Sequence, residues 1–462
     1  FGSSHFGWHV SRSTTCLSSC LMTASAARVF LSSRVETFAR KTATAVRLED
    51  LYQWGRAELT TRLSMARFLQ QEIAIRNAQL CKELCLLPFG LAQTRGVSEV
   101  IRCYSGYVES LAECPKVLSA EDDKRFTNLL ESILEDQLQV VHTLARAVDD
   151  VRQSLGDDGY EAIRPEIDRI LDRFFIKRIG LRFLIQHHIE SAVVRPGMSG
   201  IIQSHVNVEQ LLQKVAKEAQ ELCRKVYGDA PEVVVTGPGA SRAFGVAPAF
   251  EMQPRSFTFV PLHLEVSSGV LLQNACFAVA KLHGGVDPLP AVKATCAYGE
   301  EGVTIRISDR GDGIPRSQIP FAWSYLEAPG SSEEEPGQGR RHSTPLGEGN
   351  PVGFGLPLAR LHARYYGGDL ILQSIEGLGT EAYLYLNHLG ENCEELPHGV
   401  RVSPSMRDST FGNVSSIDFE DQLAVAVNQE EVAFLKRSLH GFRAQRQNDV
   451  AALSVAELPP KK

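Results

Sequence analysis

From Leu48 to Glu190 apolar residues recur three and four positions apart, as in Ala66, Leu69 and Ile73 and again in Ile167, Ile170 and Phe174. This is the repeat of a helix that buries one face. Pro88, the Gly156–Gly159 region and Pro196 interrupt it, so the pattern predicts roughly four long helices with short connections, an antiparallel bundle over residues 48–195. The stripe is core, and no chemistry is assigned to it.

Beyond the Pro196–Gly200 break the character changes. Val208 to Tyr227 reads as one amphipathic helix, with Leu211, Leu212, Val215, Ala219 and Leu222 on one face and Gly228 placed to terminate it. Short strands then alternate with helices: Glu232–Val235, Gly302–Ser308 with Val303, Ile305 and Ile307 in alternation, Leu370–Ser374 and Glu381–Leu386. The expected fold is therefore an all-α helical bundle followed by an α/β domain with a mixed sheet, over residues 196–389. Residues 329–351 are rich in Gly, Ser, Glu and Pro and bury too little to offset their ordering entropy, which predicts a mobile loop inside that domain. The tail, residues 390–462, has one helical stretch near Glu430–Phe442 and is otherwise polar, with no role assigned.

Composition narrows the function. The 462 residues, 43% hydrophobic and 22% charged, suffice for two or more globular domains with cores. A net charge of -7 leaves no domain-wide basic footprint for a nucleic acid, and a protein partner or small ligand fits better. The most apolar piece, Ile73 to Leu87, is broken by Arg76, Asn77, Lys82 and Glu83, so no membrane span is expected. The 10 cysteines lack C-x-x-C pairing and read as small buried residues in a reducing compartment. Residues 1–47 carry Arg12, Arg28, Arg34, Arg40, Lys41 and Arg47 among many Ser and Thr, with Glu36 as the one acid, the composition of a mitochondrial transit segment. The chain begins at Phe1 rather than Met, so its natural start is expected to lie further upstream.

Three pieces of the second domain carry the candidate chemistry. A helix of roughly Leu264 to Lys281 contains Asn274. Asp309-Arg-Gly311-Asp-Gly313 closes an alternating strand, where glycines let backbone approach a ligand and a carboxylate can accept from an exocyclic amine. Gly353-Phe-Gly355-Leu356-Pro357 opens a helix running to Tyr366, followed by Gly377-Leu-Gly379-Thr380. Unpaired N–H groups and the helix dipole at such a start favour a phosphate. A D-x-G-x-G turn alone is ordinarily just a tight turn, but the order of the three, with a mobile loop between the second and third, is a far more specific signal.

That set resembles the N, G1, lid and G2 boxes of the GHKL (Bergerat-type) ATP-binding fold of histidine kinases, the ninety-kilodalton heat-shock chaperones, gyrases and mismatch-repair ATPases. The bundle disfavours the chaperone and mismatch-repair branches. Phe68–Arg76, Leu86-Leu-Pro88, Leu171-Asp-Arg-Phe-Phe, Ile179–Phe183, His187-His188 and Leu222–Pro231 resemble the mitochondrial 2-oxo-acid dehydrogenase kinases, the family of the pyruvate and branched-chain alpha-ketoacid dehydrogenase kinases. The likeness spans Leu48 to about Leu386, and Gln71, Gly228 and Gly200-Ile-Ile lean toward the branched-chain member. It implies ATP and Mg²⁺ as cofactors, with Asn274 binding the metal beside the phosphates. Asp309 would hold adenine; Gly311, Gly313, Gly353, Gly355 and Leu356 would line the site, Thr380 would complete the base-side wall, and residues 329–350 would form the lid. It further implies a protein-serine/threonine kinase of the mitochondrial matrix, a homodimer that docks on lipoyl domains of E2 and phosphorylates E1 of the complex to inhibit it.

Five positions break the family pattern. Registered on Val260-Pro-Leu-His-Leu264, the family's Glu four residues before the Asn and His eight before it fall at Val270 and Val266, so no catalytic base is retained there. The family's Lys before the Asn is Gln273, its Arg three residues after is Phe277, and a bundle histidine falls at Gln137. Glu265, nine residues before Asn274, lies on the opposite side of the helix at 100° per residue and is a poor substitute. His263 reads as a packing or capping residue. Two functions follow: a working kinase, or an ATP-binding pseudokinase and regulatory scaffold of the same complex.

Overall fold

The helical periodicity of the first half becomes six helices in the computed structural model, which describes residues 31–56, 58–88, 90–137, 139–237, 257–326, 353–388 and 393–397, and the backbone of 401–402. Helix α1 (Ser33–Ala39) is capped by the Ser32 hydroxyl, which accepts from the Val35 amide. After β1 (Thr44–Ala45) and α2 (Leu48–Trp54) come α3 (Leu59–Cys85), α4 (Arg95–Glu113) and α5 (Ala120–Asp136). Ser119 and Asp122 close a reciprocal capping box at the start of α5. Helix α6 (Val140–Glu190) runs 51 residues, and Gly156, at φ 71°, is a kink within it rather than a loop. Leu69, Ile73, Ile167, Ile170 and Phe174 are all buried in one core.

Both ends of the bundle reach further than the sequence pattern indicates. Residues 31–47, expected to belong to a transit segment, fold onto the bundle: Val35 and Val46 are buried and Arg34 pairs with Glu109 at 2.7 Å. Residues from the expected tail do the same. Glu394 is buried against Arg76 of α3, Nη2 to Oε2 at 2.6 Å, its Oε2 accepts from the Val46 amide at 2.9 Å, and the Tyr365 hydroxyl donates to its Oε1. Strand β9 (Arg401–Val402) pairs in parallel with β1. Residues 31–47 and Glu394 thus pack onto the bundle, on either side of the boundaries expected at 47 and 390. Residues 403–462, with the Glu430–Phe442 stretch in them, and the expected lid, residues 329–350, lie outside the described residues.

The second half is a mixed five-stranded sheet. A small hairpin, β2 (Met198–Ser199) and β3 (Ile202–Gln203), leads into α7 (Val208–Tyr227), which ends on Gly228 in the left-handed region at φ 84°. Then follow β4 (Val233–Thr236), α8 (Pro261–His283), β5 (Val292–Tyr298), β6 (Gly302–Ser308), α9 (Gly355–Arg364), β7 (Asp369–Ile375) and β8 (Gly379–Asn387). The order is β4-β5-β6-β8-β7, with β4 parallel to β5 and the rest antiparallel. Val303, Ile305, Ile307, Leu384 and Leu386 pack with Leu212, Leu272 and Ala359 of the helices in a second core. The sequence reading lacks β5, whose alternating positions carry small Ala294 and Cys296 rather than branched residues.

Candidate nucleotide site

Helices α8 and α9 pack antiparallel, and three contacts fix their register. His263 and His362 rings lie 4.7 Å apart, the Ser267 hydroxyl donates to the Ala359 carbonyl at 3.4 Å, and a Cβ on Gly355 would meet Val270 Cγ1 at 3.1 Å. The next turn of α8 therefore runs past the start of α9. There Asn274 is exposed between buried Gln273 and Ala275. The first amides of α9 have no partner within the helix.

Phe354, just before α9, is fully buried against Phe175 and Tyr325. Gly353 precedes it at φ 80°, so close to Leu326 that a Cβ would lie 2.6 Å from its backbone; only glycine fits. Leu356 is half-buried on the second core.

The Asp309 turn is braced from three sides. Its Oδ1 accepts from the Gly311 amide at 2.9 Å and the Thr380 amide at 3.1 Å, while its own amide donates to the Thr380 carbonyl at 3.0 Å. Burial pushes the carboxyl above its ordinary value, against the two amides that pull it down. Among the described residues Oδ2 accepts no hydrogen bond. Gly311 sits against α8, where a Cβ would come within 2.6 Å of Ala278 Cβ. Gly313 packs on the Ile375 carbonyl and Gly379 on the Asp309 carbonyl. The Thr380 hydroxyl shares a 2.8 Å bond with Ser374, and Ser374 Oγ accepts from the Ile314 amide at 2.7 Å. Ser374 thus braces the base-side wall, a role that no sequence motif marks.

The fold sets the Asp309–Gly311 turn after β6 and the Gly355 start of α9 along α8, which carries Asn274, with Gly311 against Ala278 and Gly355 against Val270, and Thr380 of β8 bonded to Asp309. Val270 contacts the phosphate-side glycine, with Val266 one turn back and half-buried. Glu265 points elsewhere, paired with Lys214 at 2.9 Å. His263 is buried among Phe183, His362 and Tyr365, and burial brings its imidazole down to about 4. Phe277 packs edge-on against Tyr227 at 5.3 Å. Gln137 is buried, with its carbonyl accepting from Arg178 at 2.7 Å.

Comparison with known proteins gives this geometry a lineage. The pyruvate dehydrogenase (acetyl-transferring) kinase of Arabidopsis thaliana is 32% identical over 372 residues, 76% of this chain and 96% of its own length. The chain belongs to the mitochondrial 2-oxo-acid dehydrogenase kinase family. A family model described as mitochondrial branched-chain alpha-ketoacid dehydrogenase kinase matches residues 45–220. The Drosophila melanogaster pyruvate dehydrogenase kinase is 31% identical over 71% of this chain and 78% of its own. Human isozyme 4 is 30% identical over 79% and 86%. Members of this family are kinases, and the glycine cradle with its free carboxylate oxygen fits ATP. Mg²⁺ commonly binds through one or two protein oxygens plus substrate phosphates, and the single exposed Asn274 matches that demand. No helix among the described residues is long and apolar enough to cross a membrane.

Proposed function

We propose that the chain is a mitochondrial protein-serine/threonine kinase that binds Mg-ATP and acts on the E1 subunit of a 2-oxo-acid dehydrogenase complex, pyruvate or branched-chain. In this reading it works in the matrix as a homodimer, docks on the lipoyl-bearing E2 component, and is imported by a segment upstream of Leu31. The observation that carries it is the braced Asp309 turn, whose Oδ2 accepts no hydrogen bond among the described residues, packed through Gly311 on the same helix α8 that carries Asn274 and meets Gly355. Asp309 receives the adenine amine, the α9 amides receive phosphate, and Asn274 holds the metal. Phosphoryl transfer rests mainly on positioning and charge stabilisation through a loose transition state, so these groups support turnover without a side-chain base, at a rate lowered by on the order of 10²–10⁴.

One observation favours a second reading, a nucleotide-dependent regulator that docks without phosphorylating: the side chain nearest the phosphate-side glycine is Val270, a hydrocarbon. Single-turnover transfer from ATP to purified E1, run beside calorimetric Mg-ATP titration, separates the two. Binding with slow serine phosphorylation supports the kinase. Binding with no transfer leaves the regulator, and no binding removes both.

A further inference from the structure

Two carboxylates of the bundle converge on one tyrosine. Asp168 and Asp172 stand on successive turns of α6; Asp168 is half-buried, and desolvation raises its carboxyl to about 6, while Asp172 lies exposed at the edge of the contact. Among the described residues neither has an ion-pair partner within 4.0 Å; Arg164, Arg360 and Arg364 act on them only at longer range.

What the two aspartates hold is specific. Asp168 Oδ1 accepts from the Tyr325 amide at 3.1 Å and also receives the Ser324 hydroxyl. Asp172 Oδ1 accepts from the Tyr325 hydroxyl at 2.8 Å. The Tyr325 carbonyl takes a third bond, from Tyr160 of the same helix at 3.4 Å. Tyr325 is fully buried, and its ring lies 4.9 Å from Phe354. Leu326, at φ 66°, is the residue on whose backbone Gly353 rests. The chain thus runs from bundle carboxylate to Tyr325, to Phe354 and Gly353, and so to the first turn of α9.

We propose that Asp168 and Asp172 are positioning residues of the nucleotide site, which set the phosphate-binding start of α9 against the bundle through Tyr325. The proposal rests on the nucleotide-binding reading above. Neither aspartate touches the nucleotide; they act by fixing where Gly353 and Gly355 stand.

The test is Mg-ATP affinity by calorimetry for the full chain and for Asp172→Asn, Asp172→Ala, Asp168→Asn and Tyr325→Phe, each with a melting scan without nucleotide. Asn at 172 still accepts from Tyr325, so near-normal affinity is expected there. Asp172→Ala and Tyr325→Phe break that bond and are expected to weaken ATP binding about tenfold. Their unliganded melting should move little, because Asp172 is exposed and water solvates whichever group the substitution leaves without its partner. The pH profile gives a readout that packing alone would not move. The groups facing Asp168 are Asp172 and Arg164 on its own helix and Ser324 and Tyr325 opposite; Arg360 and Arg364 of α9 face Asp172. A protonated Asp168 is a weaker acceptor, so wild-type affinity should fall as pH drops through about 6, relative to Asp168→Asn. Titration of the nucleotide itself is common to both proteins and cancels in the ratio. Unchanged affinity in Asp172→Ala and Tyr325→Phe, or early melting with normal affinity per folded molecule, overturns the proposal. A wild-type chain that binds no ATP overturns the nucleotide reading itself, and is distinguished by the first titration.

Discussion

The sharpest perturbation is to restore the polar pair, Val270→Glu with Val266→His. Val270 is half-buried, so replacing it loses roughly 1 kcal/mol, about half of what full burial of a valine contributes. Gly355 leaves no room on its side, since even a methyl there would lie 3.1 Å from Val270. The new carboxylate must therefore extend along α8 toward exposed Asn274, at the start of α9, where the helix dipole returns about 0.3–1 kcal/mol to an anion. The net change is small against the ~5–15 kcal/mol that holds a domain together, and the double variant should fold. A base in reach of an attacking serine is worth on the order of 10²-fold or more, about 2.7 kcal/mol of barrier at 1.36 kcal/mol per decade. Labelled γ-phosphate transfer to purified E1, with kcat and KM for ATP measured separately, reads the gain; kcat should rise while KM stays. Fast wild-type transfer that these substitutions leave untouched would refute the reasoning, and would mean that another group takes the serine proton.

Three further outcomes are expected. Asp309→Asn keeps an acceptor for the Gly311 and Thr380 amides but turns Oδ2 into a donor, so calorimetry should show Mg-ATP affinity reduced about tenfold or more, as expected for losing one bond to a charged group worth ~1.5–3 kcal/mol. Gly311→Ala drives a Cβ to 2.6 Å from Ala278; overpacking of this kind costs about 1–3 kcal/mol, and both the melting temperature and ATP binding should fall. Burial alone would raise the Asp369 carboxyl, but bonds from Arg360 and Arg364 bring it down to about 2. Its folded value is thus depressed, and its contribution to stability is present above the ordinary aspartate range near ~4 and lost as pH falls toward 2. Acid titration followed by circular dichroism should show that loss blunted in Asp369→Asn.

Much of this architecture was legible where burial is one-sided. Val303, Ile305 and Ile307 alternate in and out, and β6 has the bounds that alternation gives; the stripe from Leu211 to Leu222 likewise bounds α7. Strand β5 escaped because small side chains suffice where α8 lies close over the sheet. The Asp309 turn and the Gly353–Gly355 start were legible because glycines at crowded backbone leave a spacing that can be read. Tyr325 and the two aspartates that hold it were not, since nothing in sequence marks which acid will meet a tyrosine 153 residues away. Glu394 was hidden for the same reason, in a stretch, Glu394-Glu395, that reads as solvated tail.

The Arg76–Glu394 pair also constrains the order in which this protein can be made. Arg76 sits in the middle of α3 with almost no exposure, and its carboxylate partner comes 318 residues later. Until Glu394 leaves the ribosome, or a membrane pore, the bundle holds an arginine with only Glu72 to balance it. The first domain in sequence is therefore among the last to finish. A chain interrupted anywhere before residue 394 is left at its centre with a guanidinium whose Nη1 and Nη2 bonds to Glu394 are unmade, a form that proteases and chaperones can recognise as incomplete.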